Sequence, residues 1–163
     1  MPLNPPVSAR HDVSGLVASI SRNSDLNSLG QFLEPFRWSV LADFVRPASY
    51  PRGHLLISQG DKDRRLFFVE TGNLRVDMRT EGGPVQLAII GAGSVVGEGS
   101  FFSHLARNAS VAVYSDCKLW EMTPRDFESL ARQHPSVALA LAMALGATLA
   151  TRMLDISKRI SIT

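Results

Sequence analysis

Residues 93–113, GSVVGEGSFFSHLARNASVAV, concentrate the residue types that could form a binding site. Gly97 and Gly99 flank Glu98, the only acid of the segment, and Arg107 follows Gly97 by ten positions. Glycines let backbone N–H groups approach a ligand closely, and successive N–H groups at the start of a short helix form a cradle for an anion. A guanidinium at the far end of the loop can bind two phosphate oxygens as a planar fork. The pattern therefore indicates a phosphate site.

Glu98 indicates a second part of the same ligand. A phosphate would repel this carboxylate, so its partner must lie elsewhere on the molecule. The hydroxyl groups of a sugar are natural donors to a carboxylate acceptor. An anion site beside a hydroxyl acceptor describes a ribose phosphate. Two other interpretations stay open, namely Arg107 as a salt-bridged surface arginine and Glu98 as an acid that stabilises a helix N-terminus.

Other residues that could do chemistry form weaker patterns. A metal-binding cupin, whose fold is a small β-roll, needs paired histidines with a carboxylate. The four histidines of this chain are scattered and form no His-x-His. Cys117, the single cysteine, excludes a disulfide framework and lies in a predicted strand, where a core position fits it better than a nucleophile. Ser103 and His104 are chain neighbours, which rarely point together as a catalytic pair must. The sequence predicts no enzyme, no metal and no cofactor.

Composition sets the class of protein. The chain has 163 residues, of which 45% are hydrophobic and 20% charged, which is enough for one domain with a real core. A net charge of +2 is too small to indicate nucleic acid by itself. The N-terminus shows no secretory signal, and the longest purely apolar run, Val137–Leu145, is far shorter than the ~20 residues that span a bilayer. We therefore expect a cytoplasmic protein without a membrane segment.

Residues 48–122 alternate between apolar and polar positions in short runs separated by glycine turns. Strands at such regular spacing predict an antiparallel β-roll, that is, a jelly roll or double-stranded β-helix, in a mainly β domain with flanking helices. Gly82-Gly83 between two alternating runs is a hairpin signal. The clearest runs are Leu55/Ile57, Leu66/Phe68, Leu74/Val76/Met78, Val85/Leu87/Ile89 and Val111/Val113.

Helices are expected on both sides of the β-roll. Residues 1–24 are rich in Pro, Ser and Asn and predict a mobile arm with at most a loose helical turn. In residues 25–47, Asp25 could cap a short helix to Phe32, and Pro35 fits the first turn of a second one. Residues 123–163 begin with Thr123-Pro124, a helix N-cap followed by a first-turn proline.

A long helix is predicted from Pro135 to about Arg159. Its apolar residues at spacings of 3, 4, 3 and 4 form a coiled-coil seam, and a helix of this length would reach beyond a small β-roll. We expect the helix to pair with its copy in a homodimer; the alternative is that the same face packs on the β-roll. The seam residues are Gly146, Leu149, Met153, Ile156 and Ile160.

The segment 93–113 resembles the phosphate-binding cassette of the cyclic-nucleotide-binding domain family, as in catabolite-activator-type regulators and kinase regulatory subunits. That cassette has Gly-Glu, then an arginine ten positions after the glycine, then small residues and a valine. Gly97-Glu98 and Arg107-Asn108-Ala109-Ser110-Val111 fit this spacing without a gap. Residues 50–61 resemble the first hairpin of the family and residues 68–76 its next turn. The resemblance covers roughly residues 34–160.

The resemblance implies a role for each cassette residue. Glu98 would accept the ribose 2′-hydroxyl, Arg107 would pair with the cyclic phosphate, and the long helix would cover the base. The residue after the arginine is commonly Ala, Ser or Thr in the family and is Asn108 here. Where catabolite activators read adenine with Thr-Ser, this chain has Arg152, which would either stack on a purine or be a solvated helix charge. The implied ligand-binding residues are Gly97, Glu98, Gly99, Ser100, Arg107, Asn108, Ala109 and Arg152.

The resemblance implies a sensor that binds cyclic AMP or cyclic GMP and signals through helix rearrangement. The chain stops at Thr163, which leaves no room for the helix-turn-helix domain of the family's regulators. We therefore expect no DNA contact from these residues, in either a stand-alone sensor or the effector domain of a transcriptional regulator. The alternative is a degenerate β-roll that serves as an interaction module and no longer binds nucleotide.

Overall fold

The computed structural model describes residues 11–24 and 29–161, with side chains described as far as Asp155. The order of elements is helical, then β, then helical. The α-helices are α1 (Ser14–Arg22), α2 (Pro35–Leu41), α3 (Glu98–Ser103), α4 (Pro124–Gln133) and α5 (Pro135–Ser161), with 3₁₀ turns at Leu29–Gln31 and Ala42–Phe44. The strands are β1 (Arg46–Tyr50), β2 (Leu55–Ile57), β3 (Leu66–Thr71), β4 (Leu74–Thr80), β5 (Gly83–Ile90), β6 (Val95–Val96), β7 (Ser110–Val113) and β8 (Cys117–Met122).

Two antiparallel four-stranded sheets form the β-roll, with strand orders β1-β8-β3-β6 and β2-β7-β4-β5. The predicted fold class is confirmed. The hairpin expected at Gly82-Gly83 joins β4 to β5, with Thr80 paired to Gly83 across the turn. The first strand begins at Arg46, two residues before the predicted boundary, and it pairs along its whole length with β8.

The central strand β3 is buried on both faces, which explains why its sequence reads as a nearly continuous apolar run. Successive side chains of a strand point to opposite faces. Phe67 and Val69 face the interior between the sheets, whereas Leu66 and Phe68 belong to a second core beneath the helices. The sheet that contains β3 therefore packs on the other sheet with one face and on the helices with the other.

The N-terminal helix α1 corrects the prediction of a mobile arm over residues 1–24. Leu16 and Ile20, one helical turn apart, are buried in the helical core. Ser19 Oγ donates a 2.7 Å hydrogen bond to the main-chain oxygen of Glu70 in β3. The apolar residues of this segment are few, but they pack on the apolar outer face of β3. The remainder of the predicted arm, residues 1–10, and the predicted Asp25 cap lie outside the described residues.

The C-terminal helices begin as the sequence predicts. Thr123 Oγ1 accepts a hydrogen bond from the N–H of Asp126, and Asp126 accepts one in return from the N–H of Thr123, which completes a capping box.

By length and composition, α5 from Pro135 to Asp155 could also cross a membrane, with a mean hydropathy of 1.8. A third of that stretch is buried inside the domain, and the core helix of a soluble protein meets the same criteria. Its buried stripe consists of Val137, Ala138, Leu141, Ala144, Leu145 and Thr148.

Replacement of Leu16 by Ala tests the packing of α1. We expect the free energy of unfolding to fall by about 2–5 kcal/mol, because the fully buried side chain leaves a cavity between α1 and β3. Leu105→Ala, at a loop position that is 70% exposed, is the matched control and should stay within about 0.5 kcal/mol of the wild type. Urea denaturation measures both. Equal small effects would mean that α1 is not part of the cooperative core.

Candidate functional site

The predicted cassette begins at a turn that only glycine fits. β6 pairs with β3 and ends at Val96, and Gly97 then takes a φ of +97°, which lets the chain turn directly into α3. A Cβ at this position would lie 2.4 Å from the carbonyl oxygen of Arg65 and 3.0 Å from Nη1 of Arg107. The missing side chain therefore allows two other segments to approach the turn.

Arg107 is buried at the opposite end of the cassette, with 5% of its surface exposed. Its Nη1 donates to the carbonyl oxygen of Gly97 at 2.9 Å, and its Nη2 donates to that of Arg65 at 2.7 Å. Its main-chain N–H donates to the carbonyl oxygen of Asp61, and its carbonyl oxygen accepts from the N–H of Gly60. Backbone and side chain are both fixed, so the guanidinium has one defined position.

Asp63 supplies the negative charge beside this guanidinium, with Oδ2 at 3.3 Å from Nη2 of Arg107. Arg65 also binds Asp63, through an Nε–Oδ1 contact of 2.9 Å. Burial alone would raise the pKa of Asp63, but hydrogen bonds from Arg65 and the charges of Arg65 and Arg107 outweigh it and hold the pKa below its usual range. Burial lowers the pKa of Arg107, and Asp63 partly offsets this effect.

Sequence reasoning missed both Asp63 and Arg65. They stand in the run DKDRR, which has the composition of a solvated loop. Its residues carry no periodicity that would direct one carboxylate inward. Their role is decided by a contact with a residue more than forty positions away, which a local pattern does not contain.

Glu98 is buried and is bound by an arginine from α5. Nη1 of Arg152 forms a short ion pair with Oε1 of Glu98. Nη2 of Arg152 donates a 2.7 Å hydrogen bond to the carbonyl oxygen of Val95. The structure thus brings Arg152 to the cassette, as expected, but its guanidinium is bound to protein acceptors instead of being a free cation.

Two buried polar atoms of the cassette have no hydrogen-bond partner. Within the described part of the chain, three buried side-chain polar atoms are unpaired, and two of them are Oε2 of Glu98 and Nε of Arg107. The third, Nε1 of Trp38, lies in the helical core. An unpaired buried group is costly and calls for an explanation. Here one unpaired acceptor and one unpaired donor belong to the same loop.

The other predicted site residues differ in exposure. Ser100 is buried in α3, whereas Gly99 and Asn108 are exposed and Ala109 is half-buried before β7. The carbonyl oxygens of Ser100 and Phe101 accept hydrogen bonds from Arg64, a residue that the sequence did not single out. Gly97, Glu98, Arg107 and Arg152 therefore form a compact cluster, and Asn108 and Ala109 lie on its outer edge.

The cassette is closed, because both Glu98 and Arg107 have only 5% of their surface exposed. Two surface clefts, of about 300 and 350 Å³, lie beside α1. The first is lined by apolar residues of α1 and by Trp38, and the second by residues around Glu70. Neither of these clefts is lined by Glu98 or Arg107.

Comparison with known families identifies the fold. The model of the cyclic nucleotide-binding domain matches residues 47–134, more than half of the chain. The chain belongs to this family. The match runs from the second residue of β1 to the residue after α4, so it contains all but one residue of the β-roll, together with residues 93–113.

Individual relatives agree with this assignment. The chain is 31% identical over 114 residues to the cyclic AMP receptor protein of Thermus thermophilus, covering 69% of this chain and 53% of that protein. It is 34% identical over 99 residues to the cAMP-dependent protein kinase type II regulatory subunit of Drosophila melanogaster, covering 60% of this chain and 26% of that one. The crystal structure of the Thermus thermophilus catabolite activator protein superposes with a TM-score of 0.71 at 28% identity, covering 82% of this chain and 62% of that one. The chain spans about half the length of the bacterial regulators that it matches.

Replacement of Gly97 by Ala tests the crowded turn. We expect the free energy of unfolding to fall by about 3 kcal/mol or more, because the new Cβ meets the carbonyl oxygen of Arg65 in addition to the strain of a positive φ. Gly53→Ala is the matched control, with a φ of +92° and open space around its Cβ, and should lose only the ~1–2 kcal/mol of backbone strain. Thermal and urea unfolding measure the difference, and equal losses at the two sites would contradict the crowding.

Proposed function

We propose that this domain is a sensor that binds a 3′,5′-cyclic nucleotide, cyclic AMP or cyclic GMP. The observation that carries the proposal is the pair of unpartnered buried atoms, Oε2 of Glu98 and Nε of Arg107. A ribose hydroxyl donates to the first, and a phosphate oxygen accepts from the second. A ligand with a hydroxyl adjacent to a cyclic phosphate satisfies both atoms at once.

The surroundings of Arg107 suit a phosphate. Its guanidinium forms an ion pair with Asp63, which is shared with Arg65, and Glu98 also lies near enough for its charge to act on Arg107. The first turn of α3 begins at Glu98, and the N–H groups of a helix's first turn have no intrahelical acceptor. An anion between these N–H groups and Arg107 would accept hydrogen bonds from both, while Oε2 of Glu98 remains available for the sugar.

Two of the relatives support a regulatory function. The names of two relatives describe a cyclic AMP receptor and a regulatory subunit of a cAMP-dependent kinase. We propose that this chain likewise changes shape on binding, as a cytoplasmic regulator or as the effector domain of a longer transcriptional regulator. Binding can transmit a signal only if the nucleotide prefers one arrangement of α5 against the β-roll.

Calorimetry with cyclic AMP and cyclic GMP tests the binding site. Arg107→Lys keeps the positive charge but loses the planar fork, so we expect affinity to fall about tenfold or more, in line with the 1.5–3 kcal/mol of a charge-assisted hydrogen bond. Arg125→Ala, which removes an exposed arginine of α4, is the control and should bind like the wild type. A thermal melt of each variant shows whether it is folded.

Absence of binding at millimolar nucleotide in the wild type would reject the sensor. The second candidate, an interaction module that has lost nucleotide binding, would survive that result. One observation favours this candidate, because Arg152 already binds Oε1 of Glu98 and the cassette is closed. Arg107 would then have only the structural role of holding the turn at Gly97.

We further propose that α5 pairs with its copy in a homodimer. Its outward face carries large exposed apolar residues, with Leu139 65%, Met143 56% and Met153 63% exposed. Together with Gly146 and Ala150 they repeat at spacings of 4, 3, 4 and 3, the pattern of a helix–helix seam. Leu149, a member of the predicted seam, is half-buried against the domain, so the proposed seam is rotated toward Leu139 and Met143.

Sedimentation of a Met143→Glu variant tests the dimer. We expect the wild type to sediment as a dimer and the variant as a monomer, because a carboxylate in an apolar seam must be desolvated without a partner. Phe36→Glu is the matched control, since Phe36 is an apolar residue that is 66% exposed on α2. A variant mass equal to that of the wild type would reject the seam.

A further inference from the structure

The ion pair between Arg152 and Glu98 connects the end of α5 to the cassette in the nucleotide-free protein. We propose that Arg152 acts as a latch that holds the last turns of α5 over the cassette. Arg152 competes with the nucleotide for Glu98, so it must release Glu98 before a nucleotide binds. The latch is defined as the Arg152–Glu98 ion pair together with the hydrogen bond from Arg152 to Val95. The inference rests on the proposed function and names how the same site is regulated.

The latch bridges two structural units. Arg152 lies 54 positions after Glu98 and 57 after Val95. Glu98 begins α3, and Val95 lies in β6, so one guanidinium binds both sides of the turn at Gly97. The planar guanidinium of an arginine can donate to two such acceptors at once. The single ammonium of a lysine is less suited to this geometry.

The burial of the pair makes it more than a surface contact. The side chain of Arg152 is 30% exposed and that of Glu98 is 6% exposed. Exposed pairs contribute little, but a carboxylate this deeply buried depends on its counterion. Arg152 is the counterion that contacts Glu98 directly. If Arg152 moves away, the buried carboxylate of Glu98 must find another hydrogen-bond donor.

Arg152 occupies one of the two acceptors that Glu98 could offer to a nucleotide. Oε1 of Glu98 is bound by Arg152, and Oε2 is buried. A ribose hydroxyl that is to bind Oε1 therefore requires Arg152 to move. The contacts of Arg152 thus oppose ligand entry, which is a different role from stacking on a purine base.

The described side chains near the end of α5 are mostly exposed in the single chain. Leu141 and Leu145 are fully buried, but residues 150, 153, 154 and 155 are exposed. Release of Arg152 would therefore loosen the contact of these last turns with the cassette without disturbing the buried part of the helix.

Two measurements on one set of variants test the latch. Arg152→Ala removes it, Arg152→Lys keeps the charge but not the fork, and Arg132→Ala removes an exposed arginine of α4 as the matched control. Amide hydrogen exchange of residues 149–155 is measured without nucleotide. Calorimetry then gives the affinity for cyclic AMP and cyclic GMP.

We expect Arg152→Ala to raise nucleotide affinity about tenfold, with a smaller rise for Arg152→Lys and none for Arg132→Ala. Amide exchange at the end of α5 should be faster in Arg152→Ala, and nucleotide should produce the same acceleration in the wild type.

Other results would overturn the latch. Weaker binding by Arg152→Ala would mean that Arg152 contacts the nucleotide, and unchanged binding would mean that the ion pair does not compete. Unchanged amide exchange in Arg152→Ala would show that the pair does not hold α5. If no variant binds either nucleotide, the proposed function and the competition are both rejected, while the exchange data still decide whether Arg152 tethers the helix.

Discussion

The cassette depends on the burial of one guanidinium. A cation withdrawn from water is costly unless it is paired and its donors are satisfied. Arg107 meets most of this requirement with the carboxylate of Asp63 and the carbonyl oxygens of Gly97 and Arg65, which come from two parts of the chain, the segment that leads into β3 and the turn before α3. These segments can therefore converge only where the guanidinium is. The same group that fixes the loop also leaves one N–H unpaired, so the architecture and the proposed chemistry share one side chain.

The two ion pairs of the cassette differ in what they connect. Asp63 and Arg107 both belong to the β-roll, so their pair stiffens a single unit. Glu98 and Arg152 join that unit to a helix whose end is exposed. A pair within a unit has no second arrangement to adopt, whereas a pair between a unit and a helix end can open. Any change at Glu98 would thus be passed to α5, whose outward apolar face is the proposed seam.

The sequence was informative where a local pattern decides the structure. Alternation in Leu74, Val76 and Met78 and the glycines at 82–83 predicted the β4–β5 hairpin, and the interval from Gly97 to Arg107 predicted a loop whose two ends are in contact in the structure. The sequence was silent where a distant contact decides. Asp63 looked like a loop charge, because nothing near it shows that Arg107 lies beside it. The helix α1 was missed for the same reason, since Leu16 and Ile20 are stabilised by the outer face of β3 and not by their own neighbours.

The positions of the two tryptophans have a practical consequence. Trp38 and Trp120 are each 1% exposed and lie in the helical core. Trp120 donates its indole N–H to Glu70 at 2.9 Å and has the ammonium of Lys118 5.2 Å from its ring centroid, while Trp38 meets Phe68 edge-on. Neither indole makes a described contact with Glu98 or Arg107. Intrinsic emission from this protein therefore reports the docking of the helices on β3 and β8, and an extrinsic fluorophore is needed to observe events at the cassette.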